Sequence, residues 1–314
     1  MKRREFIKKS TQLIGGGIAT GLVASCTEEY NPYDPHFSGG NNSGGLFVAV
    51  GVSGRRIIST DGITWTNDIS DGTTSLHGIA YGNGRFVAVG INGRRIISTD
   101  GITWTNYILG ITHLGGGIAY GNGRFVAAGD GGLRITSTDG ITWTNDISDG
   151  VGYLYSIAYC NGRFVAVGLN GRRIISTDGI TWTNDISGGD YLVGITYGNG
   201  RFVAVGQNGR RIMSTDGITW TNDISSGLSF GSIAYGNGRF VAVGTNGRHI
   251  ISTDGITWTN DISDGGNDLY AIIYANGRFV AVGQNGRRIV STDGITWTND
   301  ISGGHTLHGI AYRE

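Results

Sequence analysis

"YGNGRFVAVGINGRRIISTDGITWTN" fills residues 81–106 and carries three turn dipeptides, Asn83-Gly84, Asn92-Gly93 and Asp100-Gly101. Each lies between short runs of β-branched, aromatic and small apolar residues. Asn-Gly and Asp-Gly tolerate the positive φ that tight hairpins require, so three such turns predict four short antiparallel strands. The chain writes this sentence seven times.

The tryptophans mark the period. Trp65, Trp104, Trp143, Trp182, Trp220, Trp258 and Trp297 are separated by 39, 39, 39, 38, 38 and 39 residues, and there is no other Trp. A period near 40 with four strands per unit predicts an all-β fold, a seven-bladed β-propeller of four-stranded blades. In "RFVAVG" (85–90), Phe86 and Ala88 share one face and Val87 and Val89 the other. Both faces are apolar, as expected of a strand sandwiched between neighbouring blades. In "ITWTN" (102–106), Ile102 and Trp104 alternate with Thr103 and Thr105, the pattern of a half-exposed outer strand. The expected order is 78–82 innermost, then 85–90, 94–99, and 102–106 outermost. The first unit begins at "LFVAVG" (46–51) without an inner strand, and the chain finishes with "LHGIAY" (307–312), an inner strand without its blade. The C-terminal strand is therefore expected to complete blade one, leaving no open ring edge.

Composition narrows the functions. The formal net charge is zero, so no basic field exists to hold nucleic acid. Between Tyr30 and Arg313 there is neither Lys nor Glu, so the repeats run on Arg and Asp. Pairs such as Arg55-Arg56, Arg94-Arg95, Arg172-Arg173, Arg210-Arg211 and Arg287-Arg288 recur in register, which points to a common structural or surface role, a charge run being usually a solvated face. No unique acid/base pair is visible and no cofactor is expected. Two cysteines are too few for a disulfide framework; Cys160 takes the place that Gly82 and Gly121 hold in other repeats and reads as a small residue.

The N-terminus reads as an address. "MKRREFIKKS" is basic and the following stretch is apolar for about 15 residues, too short for a comfortable membrane span. Arg3-Arg4-Glu5-Phe6 resembles the twin-arginine export motif, and Val23-Ala24-Ser25-Cys26 resembles a bacterial lipobox, in which the chain is cut before the cysteine and Cys26 is lipidated. Acylation would anchor the protein stably, and Thr27, where an Asp would favour inner-membrane retention, favours the outer membrane. Residues 27–45 hold both prolines and a Gly/Asn/Ser run, the composition of a flexible tether. The expected organisation is a signal over 1–26, a tether over 27–45 and a propeller over 46–314.

"STDGITW" recurs intact seven times, pairing Asp61 with Trp65, Asp100 with Trp104, Asp139 with Trp143, Asp178 with Trp182, Asp216 with Trp220, Asp254 with Trp258 and Asp293 with Trp297. A short carboxylate can accept amide hydrogens of its own turn, Gly takes the unusual backbone angle, and the indole can wedge between blades. The motif resembles the Asp box, or BNR repeat, of sialidase-type propellers, and is similar to the strings in photosystem II assembly factor-like propellers. Members of that group range from glycosidases to scaffolds. The resemblance covers 46–312 and implies the propeller. Retaining sialidases use a Tyr nucleophile partnered by a Glu, and no Glu lies in these repeats.

The units differ from one another mainly between one outer strand and the next inner one, on the face shared with the second turn, where propeller ligands commonly sit. Just before each inner strand, in blade order, stand His308, His77, Gly116, Tyr155, Val193, Gly231 and Tyr270, with His305 and His113 in adjoining loops. His77, His113, Tyr155, Tyr270, His305 and His308 are the ligand-binding candidates. No carboxylate joins the histidines at ligand spacing, so no metal is expected. The function expected is that of an exported, lipid-anchored, non-catalytic module that binds or assembles an envelope protein or glycan. A sialidase-like glycoside hydrolase or lyase is the alternative.

Overall fold

The computed structural model describes residues 23–25, 44–72, 74–108 and 113–314. Arg3-Arg4, Cys26 and residues 27–43 of the tether lie outside the described residues. Seven antiparallel sheets, each of four repeat strands, form the ring. Blade two is typical: Leu76–Gly82 innermost, then Arg85–Gly90, Arg94–Ser98 and Thr105–Ile108.

Closure follows the expected overlap. Leu307–Arg313 pairs with Leu46–Gly51, from Leu46 opposite Arg313 to Gly51 opposite Leu307. Blade two places Gly82 opposite Arg85 and Leu76 opposite Gly90, with the same register shift near the end. One ladder is joined by a two-residue hairpin, the other by the two ends of the propeller.

The core lies between blades. Leu46, Val48 and Val50 of blade one pack with Ile79, Phe86, Ala88 and Ile96 of blade two, and Trp104 seals this cluster from outside. Another cluster joins blades six, seven and one. Fully burying one such side chain contributes about 1.5–3 kcal/mol, and only a neighbouring blade supplies the second half of the contact. That is the physical reason for repetition.

The three turns are of three kinds. Asn83 (φ 47°) and Gly84 (φ 72°) make the expected tight hairpin. The second turn is a single 3-10 turn, Ile91–Gly93, with Asn92 at φ 57°. At the third, only Gly101 has positive φ, 80°, and the expected start of the outer strand at Ile102 is corrected to Thr105. The cause is a competing hydrogen bond: the Ile102 and Thr103 amides both donate to Asp100 Oδ1 at 2.8 Å, so neither can join the ladder.

A left-handed Asn inside the outer strand was not foreseen. Asn67, Asn184, Asn222 and Asn260 have φ of 49° to 54°, and pairing in blade one jumps from Arg56–Ile69 to Ile58–Thr66. Such a bulge disrupts the exposed edge and discourages pairing with another chain.

Candidate binding site at the channel mouth

The connections between blades are held by the first Arg of each pair. Arg55 Nε and Nη2 donate to Asp68 Oδ1 and Oδ2 at 2.8 and 2.7 Å, and Nη1 donates to the His305 carbonyl. Arg210 does the same with Asp223, at 2.8 and 2.6 Å, and with the Asp190 carbonyl. Arg172 with Asp185, Arg248 with Asp261 and Arg287 with Asp300 complete the set. These guanidinium groups are 1–3% exposed. Of the two roles expected for the pairs, structural or surface, the first Arg takes the structural one: each planar fork is spent on a carboxylate of its own blade and a carbonyl of the loop entering that blade. The Arg55 guanidinium, through its hydrogen bond, holds the Asp68 carboxyl below its usual range. Blades two and three depart from the rule. Tyr107 stands where other blades carry the Asp, and Arg94 turns instead to Asp71 and the Thr74 carbonyl; Leu133 stands where others carry the Arg.

The "STDG" turns lie away from this mouth and are committed to folding. In blade five, Asp216 Oδ1 accepts the Ile218 and Thr219 amides at 2.8 Å, Ser214 Oγ donates to the same oxygen, and Trp220 Nε1 donates to the Gly217 carbonyl at 3.1 Å. Those backbone amides hold the Asp216 carboxyl low, and burial opposes them. In blade two, where burial opposes more strongly, the same bonds bring Asp100 down to about 2. The turns also link blades, since Asn83, Asn122 and Asn199 donate side-chain N–H to the Thr138, Thr177 and Thr253 carbonyls of the next unit.

The candidates before the inner strands do gather at one end of the ring. His77 and His308 are buried, with ring centroids 4.8 Å apart, and Tyr270 stacks on His308 at 5.6 Å. Tyr155, also buried, stacks at 4.9 Å on Tyr153 and meets Tyr191 at 6.1 Å. Two clusters result, one His/Tyr and one all Tyr. His113, at φ 47°, is half-buried, and His305 is exposed, offering its carbonyl rather than its imidazole to Arg55. Burial pushes the Tyr153, Tyr155 and Tyr270 hydroxyls up, so they remain hydrogen-bond donors. Among the described residues no three His, Cys, Asp or Glu side chains come together as a metal site. Cys160 is buried at the end of its inner strand within the core.

Sequence reasoning missed Tyr153 and Tyr191, which vary in position from loop to loop. It also missed the arginine staples, although a constant spacing of 13 residues from Arg55 to Asp68 and Arg172 to Asp185 was there to find.

Inner strands present one edge to their partner strand and the other to the central channel. At blade four that inner edge is occupied: Val23–Ser25 runs parallel to Leu154–Cys160, with Val23 opposite Ile157, Ala24 opposite Ala158 and Ser25 opposite Tyr159. The sheet thereby gains a fifth strand.

Ring, closure and loop face define a seven-bladed all-β propeller. No family model matches the chain, and no curated protein matches it. Among solved structures it is similar to YCF48 from Cyanidioschyzon merolae, with a TM-score of 0.60 and 17% identity, covering 77% of this chain and 89% of that one. It is likewise similar to YCF48 bound to a D1 peptide, with a TM-score of 0.57 and 17% identity, covering 72% and 81% of the two chains. At this identity the likeness carries the fold.

Proposed function

We propose that the chain is an exported, lipid-anchored propeller that binds an extended segment of a protein partner and holds it for assembly, without catalysis. The observation that supports this reading is the fifth strand at blade four, where the inner edge takes up an extended backbone. A similar fold with a peptide bound, in the YCF48 structure, supports it further. Main-chain pairing along the inner edge of blade four supplies affinity, and the half-buried His113, Tyr153 and Tyr191 at the mouth supply side-chain selection.

The glycosidase alternative draws no support from the mouth. The arginines that could grip a substrate carboxylate are stapled to Asp68, Asp185, Asp223, Asp261 and Asp300. We place the protein in a bacterial envelope, at the outer membrane, on the strength of Arg3-Arg4 and the Val23–Cys26 motif. Replacing Cys26 by Ser should move it from the membrane to the soluble fraction, and Arg3-Arg4→Lys-Lys should block export.

The test of binding uses the ring, residues 44–314, against an array of extended peptides from envelope proteins and a glycan array. Saturable peptide binding, lost on adding a Pro to the peptide, is expected. Binding confined to glycans, or turnover of fluorogenic glycosides, would sink the reading.

A further inference from the structure

The closing strand carries a feature that the other inner strands lack. His308, on Leu307–Arg313, lies ring against ring with His77, on Leu76–Gly82 of the next blade. The two backbones approach so closely that a Cβ on Gly309 would stand 2.9 Å from the His77 carbonyl oxygen. Nδ1 of both rings is buried without a hydrogen bond.

The nearest carboxylate, that of Asp268, is engaged by a tyrosine hydroxyl and not by either imidazole. Tyr270 of blade seven stacks on His308, with Asp268 bonded to its hydroxyl, and His113 and Tyr153 approach from the side of His77. Among the described residues no carboxylate acts directly on either imidazole. A proton on His308 would be buried unpaired and one on His77 would meet only the Gly115 backbone; protons on both would place two like charges on rings 4.8 Å apart.

We propose that the closing strand is an acid-sensitive latch: protonation of the buried His77–His308 pair drives Leu307–Arg313 out of blade one and opens the ring. The latch does not depend on what the channel binds. Burial lowers His77 to about 4, offset in part by the Gly115 backbone, and lowers His308 to about 3, with the neighbouring His77 adding to the effect. Both lie below the 6.5 of an open chain. The open form therefore binds more protons, so the stabilisation is complete above pH 6.5 and lost as pH falls toward these values. The carboxylates that shift are lowered from 3.8, Asp68 and Asp100 among them, and act in a more acid window.

Native-state amide hydrogen exchange on the full chain tests this. Protection of Leu307–Arg313 is compared with that of Phe230–Gly236 in blade six, at about pH 7.5 and about pH 5, after correction for intrinsic rates. Each imidazole favours the open form by roughly thirtyfold at the lower pH. The closing strand should thus lose roughly tenfold to a thousandfold more protection than blade six. In H77Y/H308Y, which borrows the residue of Tyr155 and Tyr270, the excess should vanish, with each single variant between. Equal loss in both strands, or no loss in either, overturns the latch. Should the variants fail to fold, imidazole NMR of the native chain decides: His77 and His308 titrating well below the ordinary 6.5 supports it, and titration of both near 6.5 in the folded ring overturns it.

Discussion

Blade one and blade two build the same inner ladder from different connections. In blade two, Asn83-Gly84 joins the strands; in blade one the partners are Leu46–Gly51 and Leu307–Arg313, whose joining loop is the whole ring. The contacts match, and Phe47 against Tyr312 at 4.6 Å mirrors Phe86 against Tyr81 at 4.8 Å. The difference is chain entropy. Passing from a two-residue loop to one that runs round the propeller is about seven doublings at about 0.6 kcal/mol each, or roughly 4 kcal/mol. Equal contacts therefore give unequal joints, and the joint without a hairpin opens first.

Removing Leu307–Glu314 is expected to have the largest effect. It strips the partner from Phe47, Val48, Ala49 and Val50, all fully buried, and leaves an open apolar edge. A cooperative melt should be lost, with aggregation on size-exclusion chromatography. A truncated chain that melts like the intact one would show that closure contributes nothing.

Much of this was legible. The Trp period and the unequal ends of the repeat array specify seven blades and a C-terminal closing strand because they are one-dimensional facts: spacing and strand count survive without coordinates. The outer strand was misplaced because periodicity at Ile102 and Trp104 looks the same whether their amides enter a ladder or bond Asp100. The arginine pairs were legible as structural or surface residues, but not as which of the two. Composition cannot tell a solvated guanidinium from one 2% exposed, as Arg55 is, and only the partner at the constant 13-residue spacing makes burial tolerable. The mouth was legible as a location, since its loops are where the repeats differ. Its contents, two separate aromatic clusters, depend on which side chains lean inward. Val23–Ser25 carries no sign of strand pairing in three residues.

A smaller effect separates the two joints at their staples. Arg210→Met removes the fork to Asp223 and the bond to the Asp190 carbonyl, but Asp223 is half exposed and can be hydrated. The expected cost in urea unfolding is about 2–3 kcal/mol, below that of stranding a fully buried charge. Arg55→Met removes the same bonds at the seam, where the loop at His305 leads into the closing strand. A similar equilibrium cost is expected, with the added exchange confined to Leu307–Arg313. Equal loosening of all inner strands in both variants would mean that the staples act on the ring as a whole.

The smallest expected change is also the sharpest test of the entropy argument. A circular permutant joins Arg313 to Leu46 through Asn-Gly, copying the link from Gly82 to Arg85, and opens the chain between Asn83 and Gly84. Blade one then has its hairpin and blade two has the seam, while every ladder keeps its partners. Since one long closure replaces another, global stability should change by less than about 1 kcal/mol. What moves is the weak point: at neutral pH the least protected inner strand should shift from Leu307–Arg313 to Leu76–Gly82. If the weakness stays in blade one, then connection is not its cause, and it belongs to the side chains found only there, with Arg313 reaching the Thr99 carbonyl at 3.0 Å and His308 pressed against His77.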